Sequence, residues 1–171
     1  MINFLISLSL TITIFFSHDI YAQAENKLLI HVKTALDIDD AQTCAVPNVA
    51  WAALKSGKNV TILFDASAVT SITKGWGWFN FGDSTPMDKA KLPERERKSL
   101  SEQFSTPLDE IPKNYGEYLG FIKDKGAKIF VNRTMMTLYN ISPEEIDQRT
   151  EPISLEKMVN TFSKKSIYIV Y

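Results

Sequence analysis

The sequence contains one cysteine, Cys44, among 171 residues. A single thiol excludes an internal disulfide framework, a CxxC redox pair and a metal site built on several thiolates. The patterns GxGxxG, Walker A, GxSxG and HExxH are also missing from the sequence. No catalytic class follows from a motif, so a functional prediction has to come from the fold and from the residues that the fold brings together.

The sequence also has little excess charge of either sign. Its 19 Lys and Arg residues stand against 20 Asp and Glu residues, without a block of basic residues. This balance argues against nucleic acid as a partner. With 44% apolar and 23% charged residues, the composition is that of a soluble globular protein. The length suffices for one domain with a core of its own.

Candidate ligands for a metal or a cofactor are scarce. Asp37, Asp39 and Asp40 resemble a hard-cation loop superficially, but the other positions of an EF-hand are missing. A cap for the following helix is the favoured interpretation of these carboxylates. We therefore expect neither a metal nor a cofactor.

Residues 4–16 form an uncharged, apolar run of 13 residues. This run is too short for a typical membrane span and has the length of the central region of a signal peptide. Ala22 and Ala24 then form an A-x-A site, which predicts cleavage after Ala24. We expect residues 1–24 to be a signal peptide and residues 25–171 to be periplasmic or secreted, without a membrane span. The alternative is an uncleaved N-terminal membrane anchor.

Apolar segments that predict buried strands lie at 27–32, 59–66, 127–131 and 166–171. A helical pattern follows the first strand, with Asp39 or Asp40 as its N-cap and Gly57 at its end. Further helical patterns lie at 92–104, 113–126 and 154–165. A strand, a helix and a second strand in this order form a βαβ unit, which is right-handed.

The predicted strands are apolar along their whole length, which indicates that helices cover both faces of the sheet. We predict a single three-layer α/β domain over residues 25–171, with a mostly parallel, five-stranded type of sheet. Residues 67–112 interrupt the strand-helix rhythm with a segment rich in glycine and aromatic residues. An insertion of this length is usually a functional lid or an assembly arm.

The insertion contains a cluster of aromatic residues, Trp76, Trp78, Phe79 and Phe81. They form either a satellite core under a long loop or an exposed apolar surface for a subunit or ligand. We favour subunit packing, because a monomer would have difficulty covering so many rings.

Polar residues follow three of the predicted strands, where ligands bind in open parallel sheets. The ligand-binding candidates at these strand ends are Lys33, Thr34, Asp65, Asn132, Arg133 and Thr134. Asn132 and Arg133 can donate hydrogen bonds to an anion or a carbonyl, or they can brace the loop. His31 lies in the middle of the first strand, so we interpret it as a satisfied core or interface histidine.

Cys44 lies at the start of the first predicted helix. The positive end of a helix lowers a thiol pKa, so Cys44 is the candidate thiol for a nucleophile or a sulfur acceptor. The nearby aspartates oppose thiolate formation, however, and free cysteines are among the most buried residues. We favour a small core residue.

The segments "AALKSGKNVTILF" (52–64) and "LGFIKDKGAKIFVNRTMM" (119–136) resemble the DsrE/DsrF-like family. The resemblance covers roughly residues 27–141 and the closing strand. It implies a flavodoxin-like wound α/β fold and a homo-oligomer, either a trimer or a hexamer. The sulfur-carrying members of the family hold a persulfide on a cysteine after the third strand, and Asn132 occupies that position here. An amide cannot hold a sulfane sulfur, because persulfide transfer needs a thiolate.

Three functional hypotheses follow from these observations. The first is an exported, oligomeric, DsrE-like accessory protein that binds a small ligand, such as an anion, or a partner protein without persulfide chemistry. The second is a thiol-dependent sulfur carrier that uses Cys44. The third is a purely structural assembly subunit. The first is favoured, which makes the protein more plausibly a binding protein than an enzyme.

Overall fold

The computed structural model describes residues 26–77, 82–163 and 166–171, and it contains a five-stranded parallel sheet. The strands lie in the order β4-β3-β2-β1-β5. Their bounds are β1 Lys27–Val32, β2 Asn59–Phe64, β3 Lys128–Asn132, β4 Glu151–Ile153 and β5 Ile167–Val170. The chain therefore adds β2, β3 and β4 in one direction from β1, and then crosses to the opposite edge for β5.

The predicted α/β class with a parallel five-stranded sheet is confirmed. The strand order differs from flavodoxin winding in one respect, since flavodoxin has the order 2-1-3-4-5. Here the strand beside β1 at the edge is the last strand of the chain. This difference places the C-terminal residues next to the end of β1.

The helices are α1 Asp40–Lys55, α2 Pro86–Lys89, α3 Glu94–Phe104, α4 Tyr115–Asp124, α5 Arg133–Leu138 and α6 Leu155–Ser163, with a 3₁₀ segment at Ala66–Ile72. Asp39 is the N-cap of α1, and its Oδ1 accepts a hydrogen bond of 3.0 Å from the backbone N–H of Gln42. This outcome confirms the predicted capping role. Gly57 has a φ of +75°, a conformation that favours glycine, just after α1 ends.

The two faces of the sheet are covered unequally. The face under α1, α3 and α4, here called the α1 face, carries the main core, with Ile30, Ile62 and Val131 from the strands packed under Trp51 and Tyr118. The opposite face, the α6 face, has a small core. Its buried members are Leu29, Leu63, Phe130 and Ile153, and Met158 and Phe162 of α6 pack on them.

The described part of the predicted insertion, residues 67–77 and 82–112, packs into the main core. Met87, Leu92, Leu100 and Ile111 are all buried there. The usual role of such a segment as a lid or assembly arm therefore does not fit this part, because its apolar side chains are already used within the domain.

Trp76 is partly buried against the main core and meets Tyr139 edge to face at 6.0 Å between ring centroids. Of the two interpretations of the aromatic cluster, this contact favours for Trp76 a satellite core within its own chain. The other members of the aromatic cluster, Trp78, Phe79 and Phe81, lie outside the described residues, as does the predicted signal peptide. Within the described ranges, none of the helices combines the length and apolar character that crossing a membrane requires.

Candidate functional site

Three strands end side by side at the carboxyl edge of the sheet, as predicted. The backbone N–H of Asp65 donates to the carbonyl oxygen of Val32 at 2.9 Å, which fixes the end of β2 beside the end of β1. The pairing of Phe64 with Val131 brings the end of β3 to the same level. Lys33, Asp65 and Asn132 thus share one edge of the sheet.

Asp65 is the centre of a hydrogen-bond network at this edge. Its Oδ2 accepts from His31 Nε2 at 2.8 Å, and its Oδ1 accepts from Asn132 Nδ2 at 2.7 Å. The backbone N–H of Ala66 adds a further bond to Oδ1 at 2.8 Å. The hydrogen bond from His31, above all, lowers the pKa of Asp65 to about 2, against burial, which raises it. Asp65 is therefore ionised at neutral pH.

The network continues from His31 to Tyr168 in β5. His31 Nδ1 lies 2.6 Å from the Tyr168 hydroxyl. Because an ionised Asp65 can only accept, the Nε2 of His31 carries a proton, and in the neutral ring Nδ1 is left as the acceptor. Tyr168 then donates to His31. Partial burial and the Asp65 carboxylate raise the pKa of Tyr168, so its phenol stays protonated.

These hydrogen bonds form a series, Tyr168–His31–Asp65–Asn132, which is here called the carboxyl-end network. The network connects β5, β1 and β3 with the residue that directly follows β2. His31 is 5% exposed and Asn132 is 2% exposed, whereas Tyr168 is 50% exposed. The network holds these side chains in fixed orientations, and both the nitrogen and the oxygen of the Asn132 amide take part in hydrogen bonds.

The other predicted ligand-binding residues surround the network. Lys33 and Arg133 are exposed, and within the described part of the chain their side chains form no ion pair. The backbone N–H of Thr134 donates to Asn132 Oδ1 at 2.9 Å, so Asn132 caps α5. Thr34 lies in the loop after β1, and its backbone carbonyl accepts a hydrogen bond from the Thr43 hydroxyl.

Serine side chains hold this loop in place. Ser67 Oγ donates to the Lys33 carbonyl and accepts from the backbone N–H of Ala35, at 3.0 and 3.1 Å. Ser71 Oγ accepts from the N–H of Leu36 at 2.8 Å. The loop after β1 is therefore fixed to the 3₁₀ segment after β2, which keeps Lys33 near Asp65.

Cys44 lies on the α1 face, packed against the main core and half-buried. Burial, with smaller contributions from Asp40 and Glu96, raises its pKa to about 11, although a hydrogen bond with Tyr115 acts in the opposite direction. The helix-start argument for a lowered thiol pKa is therefore wrong for this residue, because desolvation outweighs it. His31 lies on the opposite face of the sheet from Cys44, where its ring contacts Phe162 of α6 at 5.2 Å between ring centroids.

The sequence argument identified Asp65 and Asn132 but missed two members of the network. His31 was correctly interpreted as a satisfied histidine, yet its bond to Asp65 depends on the register of β1 against β2. Tyr168 could be connected to His31 only if β5 was known to pair with β1. No local signal in the sequence reports that pairing.

No protein-family model matches the chain, and no curated protein matches it significantly. Two solved structures are similar in fold. Protein MTH1491 from Methanobacterium thermoautotrophicum, a protein of unknown function, superposes with a TM-score of 0.55 at 6% identity over 85% of this chain and 98% of that chain. The ychN protein from E. coli superposes with a TM-score of 0.54 at 11% identity over 85% of this chain and 99% of that chain.

At these identities the likeness shows the fold alone. The predicted α/β fold class is therefore shown by comparison as well as by the parallel sheet. The comparisons carry no statement about an activity, a ligand or an oligomer.

Proposed function

We propose that the protein is a DsrE-like accessory protein that binds a small anionic ligand, or an acidic group of a partner protein, at the carboxyl edge of the sheet without persulfide chemistry. The observation that carries the proposal is the state of Asn132. Its amide donates to Asp65, its carbonyl oxygen caps α5, and the side chain is almost completely buried. We therefore interpret Asn132 as a residue that holds Asp65 and the start of α5 in place at the proposed binding edge.

The charges at this edge favour an anion. Asp65 is compensated by hydrogen bonds from His31, Asn132 and Ala66. Lys33 and Arg133 remain exposed without a carboxylate partner among the described residues. A ligand with one or two anionic oxygens would pair with these cations, and the planar guanidinium of Arg133 can bind such a group through two hydrogen bonds.

A titration followed by amide NMR tests this proposal with sulfate, phosphate and acetate as probes. The expected result is saturable shifts at Lys33, Thr34, Arg133 and Thr134, which disappear in Lys33→Gln/Arg133→Gln. Lys74→Gln is a control, because its ammonium group already binds the carbonyl of Glu144 at 3.0 Å. Shifts spread evenly over the surface, or shifts that survive in the double variant, would contradict an anion site at this edge.

The alternative in which Cys44 carries sulfur lacks support from the geometry. A sulfur carrier needs an accessible thiolate. Cys44 is half-buried beneath Tyr115 and Glu96, on the α1 face, with a raised pKa.

A second candidate function, an assembly subunit, is favoured by one surface. Apolar side chains of α6 and β5 are about half exposed, namely Leu155, Val159, Ile167, Tyr168 and Val170. The N–H of Tyr171 donates to the carbonyl of His31 in β1, and its carbonyl accepts from the N–H of Lys33 just after β1. Because the main-chain groups of successive residues in a parallel strand point to opposite sides, those of Tyr168 and Val170 point away from the sheet. An uncharged, apolar edge of this kind is a template for another chain. We therefore propose a homo-oligomer, a trimer or a hexamer as the resemblance implies, that uses this surface.

Light scattering coupled to gel filtration tests the assembly. Val159→Lys/Val170→Lys should reduce the molar mass to that of one chain, because two charges would enter the interface. Ile38→Lys changes an apolar residue in the loop after β1 that is even more exposed than Val159 and Val170, and it should leave the mass unaltered. A wild-type protein that is monomeric at micromolar concentration would rule out the assembly function.

Export remains part of the proposal through the predicted signal peptide. Expression of the full chain in a bacterial host with a periplasm, followed by intact mass, should give a mature protein that begins at Glu25. A full-length product retained in the membrane fraction would instead indicate the N-terminal anchor.

A further inference from the structure

A cavity of about 730 Å³ opens on the α6 face, at the amino ends of the strands and thus opposite to the carboxyl-end network. This volume lies within the usual range for small-molecule sites. Lys27, Asn59, Thr61 and Lys128 lie along its sheet side, and Lys157 of α6 contributes to its wall. Nothing in the carboxyl-edge proposal uses these residues.

The path of α6 explains why the cavity exists. Lys157 lies over the ring of Phe130 in β3 at 4.7 Å, and five residues later Phe162 contacts His31 in β1 and Tyr168 in β5. The helix therefore crosses the strands instead of running along them. It covers the middle of this face and leaves the amino ends of the strands uncovered.

The side chains at these amino ends are polar, in contrast to the middle of the face. Lys27 pairs with Asn59, and two residues further along the strands Thr61 pairs with Lys128. Side chains of Leu29 and Phe130 follow on the same face and are buried. The cavity is thus polar and basic at its outer end and apolar where it meets the small core.

The charges of the cavity are not balanced. The described residues that line it include three lysines and one carboxylate, Glu156. Lys157 is already paired, since its ammonium lies 2.6 Å from Glu151. Lys27 and Lys128 form no ion pair or side-chain hydrogen bond within residues 26–77, 82–163 and 166–171. Two unpaired ammonium groups beside an apolar floor are complementary to an anion that has an apolar body.

We propose that this amino-end cavity is a second binding site, which takes a small organic anion with an aromatic or aliphatic body. The anionic group lies between Lys27 and Lys128, over Thr61, and the apolar body reaches toward Leu29 and Phe130. The site is independent of the carboxyl-edge proposal, because the two share no side chain.

Fluorescence titration of the full mature chain with anilinonaphthalene sulfonate, an aromatic sulfonate, tests the site. We expect saturable binding that weakens about tenfold in Lys27→Gln/Lys128→Gln, since charge-assisted contacts are lost. Binding should also weaken as sodium chloride is added. Uncharged phenylnaphthylamine has a similar apolar body and should bind at least about tenfold more weakly than the sulfonate.

Two further variants separate this site from other surfaces. Lys91→Gln/Lys113→Gln removes the same charge from exposed positions on two neighbouring segments before α4, where the N–H of Leu92 donates to the carbonyl of Lys113, and it should leave the affinity unchanged. Thr61→Trp fills the cavity and keeps both lysines, and it should abolish binding in a protein whose circular dichroism is native. Absence of binding to the wild type would overturn the proposal. Equal binding by the lysine variants, or equal binding of the uncharged analogue, would overturn it as well.

Discussion

The two faces of the sheet differ in how completely they are covered, and this difference separates a side that carries most of the core from a side that carries the polar network and the proposed binding regions. The α1 face carries most of the buried apolar residues and the single thiol. Among the described residues, the α6 face has four buried apolar residues under one helix. Its remaining surface holds the carboxyl-end network, the amino-end cavity and the apolar edge of β5. We therefore expect most of the stability to come from the α1 face and the proposed binding to occur on the α6 side, so substitutions on the two faces should have different consequences.

The largest difference should come from aromatic residues that support each face. Trp51 is 1% exposed and contacts Phe104, Tyr118 and Phe121 on the α1 face. Trp51→Ala should lower the free energy of unfolding by about 3–5 kcal/mol, because it removes a buried ring and leaves a cavity. Phe162→Ala on the α6 face should cost about half as much, since Phe162 is only partly buried. Urea unfolding measures both, and equal losses would contradict the proposed division.

The next largest effect concerns the reactivity of the thiol on the α1 face. A pKa raised from 9.0 to about 11 reduces the thiolate fraction at neutral pH about 100-fold. Cys44 in the folded protein should react with an aromatic disulfide reagent at least about 100-fold more slowly than it does in urea.

Two variants of the residues around Cys44 sharpen this prediction because they should act in opposite directions. Glu96→Gln removes a nearby negative charge that raises the thiol pKa, so it should increase the rate. Tyr115→Phe removes the hydrogen bond that lowers the pKa, so it should decrease the rate. A native rate equal to the rate in urea would show that Cys44 is not protected.

A smaller effect, and one that depends on pH, should follow from breaking the network on the α6 face. Asp65→Asn should lower the free energy of unfolding at pH 7 by about 1–3 kcal/mol, because His31 and Asn132 lose a charged acceptor. The folded pKa of Asp65 is about 2, below the value of about 3.9 for an unfolded chain. Its contribution is therefore fully present above about pH 4 and is lost as the pH falls toward 2.

The difference between wild type and Asp65→Asn should consequently shrink between pH 7 and pH 2.5 in urea unfolding experiments. Asp37→Asn is a matched control, since Asp37 is exposed and forms no ion pair among the described residues. A difference that stays constant with pH would mean that the Asp65 carboxylate is not held in its ionised form by the network.

The smallest effect should come from the end of the network. Tyr168→Phe removes the hydroxyl that lies 2.6 Å from His31 Nδ1, and it should cost about 0.5–1.5 kcal/mol. Tyr139→Phe removes a hydroxyl without a hydrogen-bond partner in the described part of the chain and should be neutral. Identical stabilities of the two variants would argue against a bond between β5 and His31.

The sequence was sufficient for those features that depend on local pattern. The four apolar strands, the cap at Asp39 and the helix from Tyr115 to Asp124 follow from spacing, capping residues and glycine stops. The strand β4 was missed, because Glu151–Ile153 is three residues long and contains a proline at the edge of the sheet.

The candidate site was predictable only in part, for a physical reason. Asp65 and Asn132 lie at the carboxyl ends of two strands, and a parallel sheet places the carboxyl ends of its strands at one edge. The contacts of His31 and Tyr168 arise from strand order and from the face that each side chain occupies, and both are set by packing of the whole chain. The amino-end cavity likewise results from the direction of α6 across the sheet, which no spacing in its sequence reports.

The central claim is the proposal that this parallel α/β protein works without a sulfur-carrying thiol, and one measurement tests it most directly. The folded protein is incubated with a sulfane donor at neutral pH, beside a short peptide with one cysteine in the same tube, and intact masses are recorded. The account predicts a sulfur adduct on the peptide and none on the protein. An added sulfur atom on wild-type protein that is absent from Cys44→Ser would contradict the account and would restore Cys44 as a sulfur carrier.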